Sequence, residues 1–448
     1  MRHAASRYTG FEPDARRFLA SALLVGAAIS LFWIDFNLYL AALGFNAPTI
    51  GLIATGGSLA GVVVAFPASA LSDRVGRRAI LIAGLALDTV SLIGFIVVTN
   101  VVAIAALVFA WNLGLGAFFV VTNPFLLEHS QPDHRNELFS LVFAIENITN
   151  VVAAVVGGIA AQAIAGIAGL DPNGPGPFRI LLVAMAVVTG LGTLTLFRIS
   201  DDRAALAEIR ARHEEERRQR GLDREGGRPS GRLPRLPRLP RLRIVGDRKT
   251  FLRLLVPGFV IACGAGQVIP FLNLFIERKF GLEIAALNAV FAITSLGTIA
   301  AILVQPAIAR RVGKVASVVL VQGVSIPFLL VLGFSPILWT VVLAMAIRSS
   351  LMNAGNPIAN AFAMEIAHPA DRATLSAAQS LLWSLGWVIA GPFYSLTQAA
   401  LGFDLGYTVN FVTIVVLYAV AIGVYWTWFR DIEPAIATAD VTGYAGPS

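Results

Sequence analysis

Long blocks of apolar residues recur along the whole sequence, and they constrain the fold more than any other feature. Three of them follow one another closely at Thr49–Leu71, Ala79–Val98 and Val101–Val121. A helix of about 20 apolar residues spans the roughly 30 Å hydrocarbon core of a membrane. Hydrophobic residues make up 56% of the 448-residue chain and charged residues only 14%, against roughly 25% charged residues in soluble domains. The sequence therefore excludes a soluble enzyme, a secreted disulfide scaffold and a disordered chain.

The apolar blocks predict an all-α membrane protein with twelve transmembrane helices. The first block is longer than the roughly 7–15 apolar residues of a signal peptide, so we interpret it as a helix and not as a removable signal. The predicted spans are Phe18–Phe45, Thr49–Leu71, Ala79–Val98, Val101–Val121, Asn136–Ala163, Phe178–Phe197, Leu254–Ile276, Leu287–Val304, Ala316–Phe334, Leu338–Met364, Ala373–Leu396 and Thr408–Trp428.

The distribution of Lys and Arg predicts the orientation of these helices. Of the 34 basic residues, 30 lie on the side that holds both termini, three lie on the other side and one, Arg348, lies within a span. Loops rich in Lys and Arg stay in the cytoplasm. We therefore expect an integral protein of the cell (inner) membrane with both termini cytoplasmic. The net charge of +7 follows from this topology and requires no nucleic-acid partner.

The composition changes abruptly between Phe197 and Leu254. Asp201–Arg220 predicts a charged helix, and Arg232–Arg243 reads RLPRLPRLPRLR, where proline at every third position favours an extended polyproline form. We interpret the segment as a tether held near anionic headgroups, with protein docking or regulation as the alternative. The predicted domains are an N-terminal six-helix half (1–197), a basic cytoplasmic linker (198–253), a C-terminal six-helix half (254–430) and a cytoplasmic tail (431–448).

The two halves repeat one another at a constant offset. Arg74-Val75-Gly76-Arg77 reappears 237 residues later as Arg311-Val312-Gly313-Lys314, and Glu128 reappears as Glu365 at the same offset. One offset that serves loops and helices far apart indicates two pseudo-symmetric six-helix halves. Parallel repeats of this kind, related by an axis normal to the membrane, are a transporter design with the substrate site between the halves.

The loop ALSDRVGRR at residues 70–78, between the second and third predicted helices, resembles the signature loop of the major facilitator superfamily. Ser69 stands where that pattern has Gly, and Arg310 replaces Asp73 in the second copy. The resemblance implies that helices 1, 4, 7 and 10 line a central cavity. It also implies a cytoplasmic gate in which Asp73 meets the start of helix 11 near Ala373 and Arg77 reaches Glu128. The predicted gate residues are Asp73, Arg74, Gly76, Arg77 and Glu128, and the alternative is a basic loop that only sets the orientation.

Four ionisable residues lie well inside predicted spans, where a charge is expensive and marks a function or a partner. Asp35 on helix 1 is a predicted proton site, with a structural hydrogen bond to a neighbouring helix as the alternative. Glu146 on helix 5 is a second predicted proton site, on a face that resembles the antiporter-type motif of that helix, except that Ala153-Ala154 replaces its Gly-Pro and only Gly157-Gly158 remains. For Asp88 we expect structural pairing with helix 2 or 4. Arg348 either binds an anionic substrate or neutralises a carboxylate such as Glu146.

Uncharged polar residues on the cavity-lining helices predict the substrate pathway. Helix 10 carries asparagines at helical spacing, and helix 7 has Gly264 and Gly266 where it would bend at a gate. Two tryptophans one turn apart on helix 11 either flank an apolar substrate or pack between helices. The predicted pathway residues are Asn37, Asn150, Gln267, Asn273, Arg348, Asn353, Asn356, Asn360, Trp383 and Trp387.

These features predict a secondary active transporter that works by alternating access and not an enzyme. No GxxxxGK[ST] motif is present for ATP binding, and the five histidines lie in tails and loops, so we expect no metal site and no cofactor. The leading hypothesis is proton-coupled export of an amphipathic small organic compound by a monomer in the lipid bilayer. The alternatives are an organic-anion symporter or facilitator centred on Arg348, a divalent-metal exporter that uses Asp35, and a non-transporting receptor or scaffold.

Overall fold

The computed structural model describes residues 12–129, 135–171, 174–200, 246–368 and 371–432, and all regular structure in these residues is helical. The helices are α1 (Pro13–Ala42), α2 (Ala47–Val75), α3 (Arg77–Val97), α4 (Val101–Glu128), α5 (Arg135–Ile167), α6 (Pro175–Leu196), α7 (Arg248–Ala265), α8 (Leu272–Phe280), α9 (Ile284–Val312), α10 (Lys314–Phe334), α11 (Leu338–Ile366) and α12 (Arg372–Phe429). We call the side where α1 begins and α6 ends the linker side, and the other side the opposite side.

The predicted all-α membrane fold is confirmed. Among the described residues, ten helical segments are long and apolar enough to cross a membrane. One of them, Thr374–Phe429, is 56 residues long and bends at Gly402, whose φ of 73° is not helical. This segment is long enough to cross the membrane twice. Ile284–Thr298 is a further, shorter apolar helix at the start of α9. These segments are consistent with twelve crossings.

The internal repeat of the sequence is present in the structure. Gly76 between α2 and α3 has a φ of 97°, and Gly313 between α9 and α10 has a φ of 87°, a backbone conformation that favours glycine. Arg77 of α3 forms an ion pair with Glu128 of α4 at 3.2 Å. In the other half, Lys314 of α10 pairs with Glu365 of α11. The same turn and the same ion pair therefore recur in both halves.

The halves differ where the first helix of the second half is broken. α7 ends at Ala265, a 3-10 turn covers Ile269–Phe271, and α8 begins at Leu272. Pro270 lacks an N–H group and cannot continue a helical ladder. A break inside a membrane requires that the freed carbonyls find other donors. Asn37 Nδ2 donates to the Pro270 carbonyl at 2.6 Å, and Tyr407 Oη donates to the Phe271 carbonyl at 3.2 Å.

The start of α7 differs from the predicted span, which begins at Leu254. The helix begins six residues earlier because Asp247 caps it, accepting hydrogen bonds from the Lys249 and Thr250 amides at 3.1 and 2.9 Å. The Thr250 hydroxyl also donates to this carboxylate, and together these bonds hold the pKa of Asp247 below its usual value. The predicted linker helix Asp201–Arg220 and the proline repeat Arg232–Arg243 lie outside the described residues.

The buried apolar side chains form different cores on the two sides of the bundle. On the opposite side, one core contains residues of both halves, among them Phe36, Tyr39, Phe271 and Phe411. On the linker side, each half has a core of its own. The N-terminal core includes Phe18, Phe125 and Leu138, and the C-terminal core includes Phe251, Phe362 and Phe429. The halves are therefore packed together on the opposite side.

The glycine that ends α1 provides a test of this backbone. Gly44 has a φ of 88°, and nothing lies within 4 Å of the position that a Cβ atom would take. Gly44→Ala therefore isolates backbone strain, and we expect it to destabilise the fold by about 1–2 kcal/mol. The control is Gly61→Ala within α2, which also has open space around the new methyl group and gains about 0.5–1 kcal/mol. Thermal unfolding of the two variants in one detergent should give shifts of opposite sign, and a shift of the same sign would contradict the assigned conformation.

Candidate functional site

One turn of α1 joins the two halves on the opposite side. Besides the bond from Asn37 to Pro270 at the break, Asn273 of α8 donates from Nδ2 to the Ile34 carbonyl at 2.6 Å. Both bonds cross between residues more than 230 positions apart in the sequence. Asn273 is 2% exposed. This predicted pathway residue therefore takes part in the closure of the opposite side.

Asp35 belongs to the same turn of α1 and faces the other half. The carboxylate oxygen Oδ1 accepts a hydrogen bond from Asn288 Nδ2 of α9 at 3.0 Å. Asp35 is 1% exposed and Asn288 is 0% exposed. Asp35 thus makes the hydrogen bond to a neighbouring helix that the sequence analysis gave as its alternative role, and its role as a proton site stays a prediction.

A small cavity of about 70 Å³ lies between the halves beneath this closure. Six aromatic rings surround it, and the polar groups in its wall are amides and hydroxyls. The aromatic residues are Phe32, Trp33, Phe36, Trp111, Phe271 and Trp387, and the polar residues are Asn37, Thr55, Ser58 and Asn112. Every residue in the described wall is uncharged, so the wall of this central cavity offers aromatic faces and uncharged hydrogen-bonding groups.

A larger cavity of about 470 Å³ lies in the C-terminal half towards the linker side. Its wall is also uncharged and is rich in side-chain amides. The polar and aromatic lining residues are Phe259, Gln322, Asn356, Asn360, Gln379, Ser380, Trp383, Ser384 and Tyr425. Asn356 and Asn360 are exposed, which agrees with access from the linker side. The asparagine stripe predicted for helix 10, which is α11 in the structure, therefore contributes two of its residues to this wall.

Two tryptophans of α12, Trp383 and Trp387, lie between the two cavities. The ring centroids of Trp383 and Trp387 are 6.5 Å apart; Trp387 lines the central cavity and Trp383 lines the larger one. Trp33 of α1 makes an edge contact with Trp387 across the halves, with centroids 6.2 Å apart. Trp33 is 49% exposed. An aromatic surface thus connects the two cavities.

The family model described as Major Facilitator Superfamily matches residues 18–391 of the sequence. This match covers more than half of the chain and includes both copies of the repeated loop. The chain belongs to the major facilitator superfamily. It is therefore a secondary transporter and not an enzyme, as the sequence analysis predicted.

Solved transporters share this fold at low sequence identity. The nucleoside transporter NupG has a TM-score of 0.69 and 12% identity, covering 92% of this chain and 99% of its own. A bacterial homologue of the human lysosomal transporter Spinster, inward-facing and occupied, has a TM-score of 0.69 and 14% identity, with coverages of 94% and 98%. The D-xylose–proton symporter has a TM-score of 0.69 and 13% identity, with coverages of 92% and 96%. No curated protein has a sequence that matches this chain.

The signature loop of this superfamily member lies on the linker side. Arg77 donates to Ser72 Oγ at 2.5 Å as well as to Glu128, and Arg74 is exposed. The ion pair to Glu128 joins two helices of one half. The side chain of Asp73 lies outside the described residues. Its contact with the start of predicted helix 11, which is the start of α12 in the structure, therefore stays a prediction.

Arg348 lies apart from the described cavities. Its guanidinium group donates to Tyr418 Oη of α12 at 2.8 Å, and it is 7% exposed. It is absent from the walls of the two cavities described above and of two further cavities among the described residues. The side chain of Glu146, its predicted neutralising partner, lies outside the described residues.

The remaining predicted pathway residues occupy different places. Asn150 of α5 accepts a hydrogen bond from Ser295 of α9 at 2.8 Å across the halves. Gln267 donates to the Cys263 carbonyl at the end of α7, and Asn353 donates to the Ser349 carbonyl of its own helix. Of these three residues, only Asn150 lines a described cavity, which lies in the N-terminal half.

Asp88 of α3 packs against α4, as expected from the sequence. A Cβ atom added to Gly114 of α4 would collide with the Asp88 carboxyl group. Trp33, Thr55, Asn112 and Asn288 are site residues that were not predicted from the sequence. For Trp33 a signal existed, because it lies one turn before Asn37 and therefore on the same face of the helix.

α2 and α12 approach each other closely where the halves meet. A Cβ atom added to Gly391 of α12 would collide with Thr55 Oγ1 of α2 and lie 3.3 Å from the Gly51 carbonyl. In the same way, a Cβ atom added to Gly51 of α2 would collide with the side chains of Tyr394 and Ser395. Small residues permit such helix contacts in membranes.

This contact yields a second test. Gly391→Ala should separate α2 from α12, open the opposite side and lower the thermal stability by about 1–3 kcal/mol, the usual cost of overpacking. Thr55→Ala in the same chain removes the colliding hydroxyl and should restore part of the loss. Gly258→Ala, at a position with open space, is the control. Equal stability of the Gly391 and Gly258 variants would contradict the close approach.

Proposed function

We propose that this chain exports an amphipathic small organic compound in exchange for protons, by alternating access. The observation that carries the proposal is the chemistry of the two cavities, whose walls combine aromatic rings with uncharged amides and hydroxyls. Ligand sites are mostly apolar with a few placed polar groups that fix orientation. An uncharged amphipathic compound satisfies such walls without the burial of an unpaired charge.

The arrangement of the two sides supports alternating access. The halves share a core and hydrogen bonds on the opposite side, whereas each has its own core on the linker side. With the cytoplasmic orientation predicted from the charge distribution, this is the state that receives a compound from the cytoplasm. Export requires the reverse arrangement, in which the opposite side opens.

Proton coupling rests on Asp35, a carboxyl group buried between the halves, and on Glu146. The direction of transport rests on the resemblance of the Glu146 face to the antiporter-type helix 5 motif. A membrane carboxyl group that binds and releases a proton changes its charge by one unit, which a rearrangement of the halves can use. The nucleoside, sugar and Spinster-type transporters that share the fold show no more than that this fold carries small molecules.

The organic-anion alternative rests on Arg348, which binds Tyr418 and lies apart from the cavities. The divalent-metal alternative needs several ligands around Asp35, and within the described residues no three His, Cys, Asp or Glu side chains come together. The family match weighs against a non-transporting receptor or scaffold. The uncharged amphipathic compound is therefore the substrate class that we propose.

Transport in everted membrane vesicles tests the proposal. N-phenyl-1-naphthylamine, which is uncharged, should move from the membrane of energised vesicles that contain the protein into their lumen, seen as a loss of its fluorescence. Asp35→Asn should reduce this proton-driven rate at least tenfold, because the exchanged carboxyl group is gone. The matched control is Asp88→Asn, a buried acid on α3 outside the pathway, which should retain most of the rate. Equal proton-driven rates in the wild type and the Asp35 variant would contradict the coupling.

A second experiment separates the amphipath from the organic anion. 8-Anilinonaphthalene-1-sulfonate has the same ring system with an added negative charge. If the substrate is uncharged, the protein should transport the sulfonate poorly, and Arg348→Ala should leave the rate for the uncharged compound, per folded protein, within about threefold. Tyr418→Phe removes the hydrogen bond but keeps the cation. Efficient sulfonate transport that survives Tyr418→Phe and is lost in Arg348→Ala would support the organic-anion alternative instead.

A further inference from the structure

The pair formed by Asp35 and Asn288 has two further polar atoms without partners. Asp35 Oδ2 and Asn288 Oδ1 are both buried and accept no hydrogen bond from any residue that the structure describes. The one bond that exists runs from Asn288 Nδ2 to Asp35 Oδ1. Two acceptors of one pair are thus left over, and a buried acceptor without a donor costs free energy.

A single proton supplies the missing donor. A protonated carboxyl group has one O–H donor and one carbonyl acceptor, and a side-chain amide has the complementary N–H donor and carbonyl acceptor. With the proton on Oδ2, the carboxyl group donates to Asn288 Oδ1 while it still accepts from Asn288 Nδ2. The acid and the amide then form a ring of two hydrogen bonds and leave neither oxygen unpaired. Without the proton, only one bond remains, and two oxygens of the same pair lack a donor.

The surroundings of the pair allow no other donor in the described structure. Ile34, next to Asp35 in the chain, packs in one apolar cluster with Ala154 of α5 and with Ala292, which lies one turn after Asn288 on α9. A Cβ atom at Gly158 of α5 would lie 2.9 Å from Asn288 Cβ and Nδ2, so this glycine makes room for the amide. The pair is therefore enclosed by small and apolar residues of both halves.

Charged groups on the same elements lie away from the pair. Residues 148–167 of α5 and 284–298 of α9, the described parts that flank it, contain no titratable side chain. Glu146 lies two turns before Ala154, about 12 Å along the helix, and Gln162 donates to Glu283 before α9 begins. The other charged residues of α1, α5, α8 and α9 are Asp14, Arg16, Arg17, Arg135, Glu137, Glu277, Arg278, Lys279, Arg310 and Arg311.

We propose that Asn288 is the positioning residue of the proton site, and that the Asp35–Asn288 pair is a latch that holds the opposite side closed when Asp35 carries a proton. The other described bonds from this turn of α1, at Ile34 and Asn37, involve amides and backbone carbonyls and do not change with pH. Among the three contacts that this turn of α1 makes with the other half, only the Asp35–Asn288 pair gains or loses a hydrogen bond when a proton binds or leaves. This inference rests on the proposed proton coupling and names the residue through which protonation acts on the two halves.

The latch is tested by a distance across the opposite side. Thr99, between α3 and α4, and Pro336, between α10 and α11, are exposed on the two halves. Spin labels on Thr99→Cys and Pro336→Cys, in a chain with Cys263→Ser, report this distance in lipid nanodiscs without substrate or gradient. We expect the short distance at acidic pH and a longer one at alkaline pH, with the ratio of closed to open molecules changing about tenfold for one buried hydrogen bond.

The variants distinguish a latch from a structural contact. Asp35→Asn replaces the acid with an amide, and two amides form both bonds without a titrating proton, so this variant should remain closed at every pH. The exchanged double variant Asp35→Asn, Asn288→Asp restores one acid and one amide and should regain the pH dependence. Asn288→Leu removes both bonds and should favour the open distance even at acidic pH.

Two outcomes would overturn the inference. One is an exchanged variant as insensitive to pH as Asp35→Asn, and the other is an Asp35→Asn variant that follows pH like the wild type. The failure of the proposed function is a separate result. If the distances respond to pH as expected but transport of N-phenyl-1-naphthylamine is not driven by protons, the latch stands and the proposed exchange does not.

Discussion

The rest of this structure depends on the high cost of an unpaired polar group inside a membrane. The broken helix between Ala265 and Leu272 frees backbone carbonyls, and one of them is satisfied by Asn37 from the other half of the molecule. Asn273, just after the break, returns a bond to the Ile34 carbonyl. The bend and the closure therefore stabilise each other, because separation of the halves on this side would leave the Pro270 carbonyl without its donor.

Small residues determine how closely the halves pack around these bonds. Gly391 permits the contact of α12 with α2, and Gly158 makes room for Asn288 on α9. Lipid is as apolar as leucine, so helices in a membrane gain from close van der Waals contact and hydrogen bonds and not from hydrophobic burial. The contacts on the opposite side are of this kind, and a modest change in one polar pair is therefore large relative to the energy that holds the halves together.

The sequence predicts the architecture well, because apolar length and the 237-residue repeat are properties of the chain alone. The repeat extends to the pairs Arg77–Glu128 and Lys314–Glu365, which the structure forms in both halves. The direction of a side chain is not such a property. The sequence places Arg348 within an apolar span but does not show that its neighbour is Tyr418, 70 residues away. Likewise nothing local to Asn288 indicates that Asp35, 253 residues away, lies beside it.

The placement of Asp35 bears on how a proton and a substrate are exchanged. The sequence has three acidic residues and one basic residue inside its spans, which suggests a single negative cavity. In such a cavity the proton and the substrate would compete directly for the same site. The described cavity walls are instead uncharged, and Asp35 faces α9 while Trp33 and Asn37 face the central cavity. Positions two residues apart on a helix point in different directions. In the exchange that we propose, a proton on one face of α1 and a compound on the other therefore communicate through the position of α1 itself, and the charge of the compound is not what couples it to the proton.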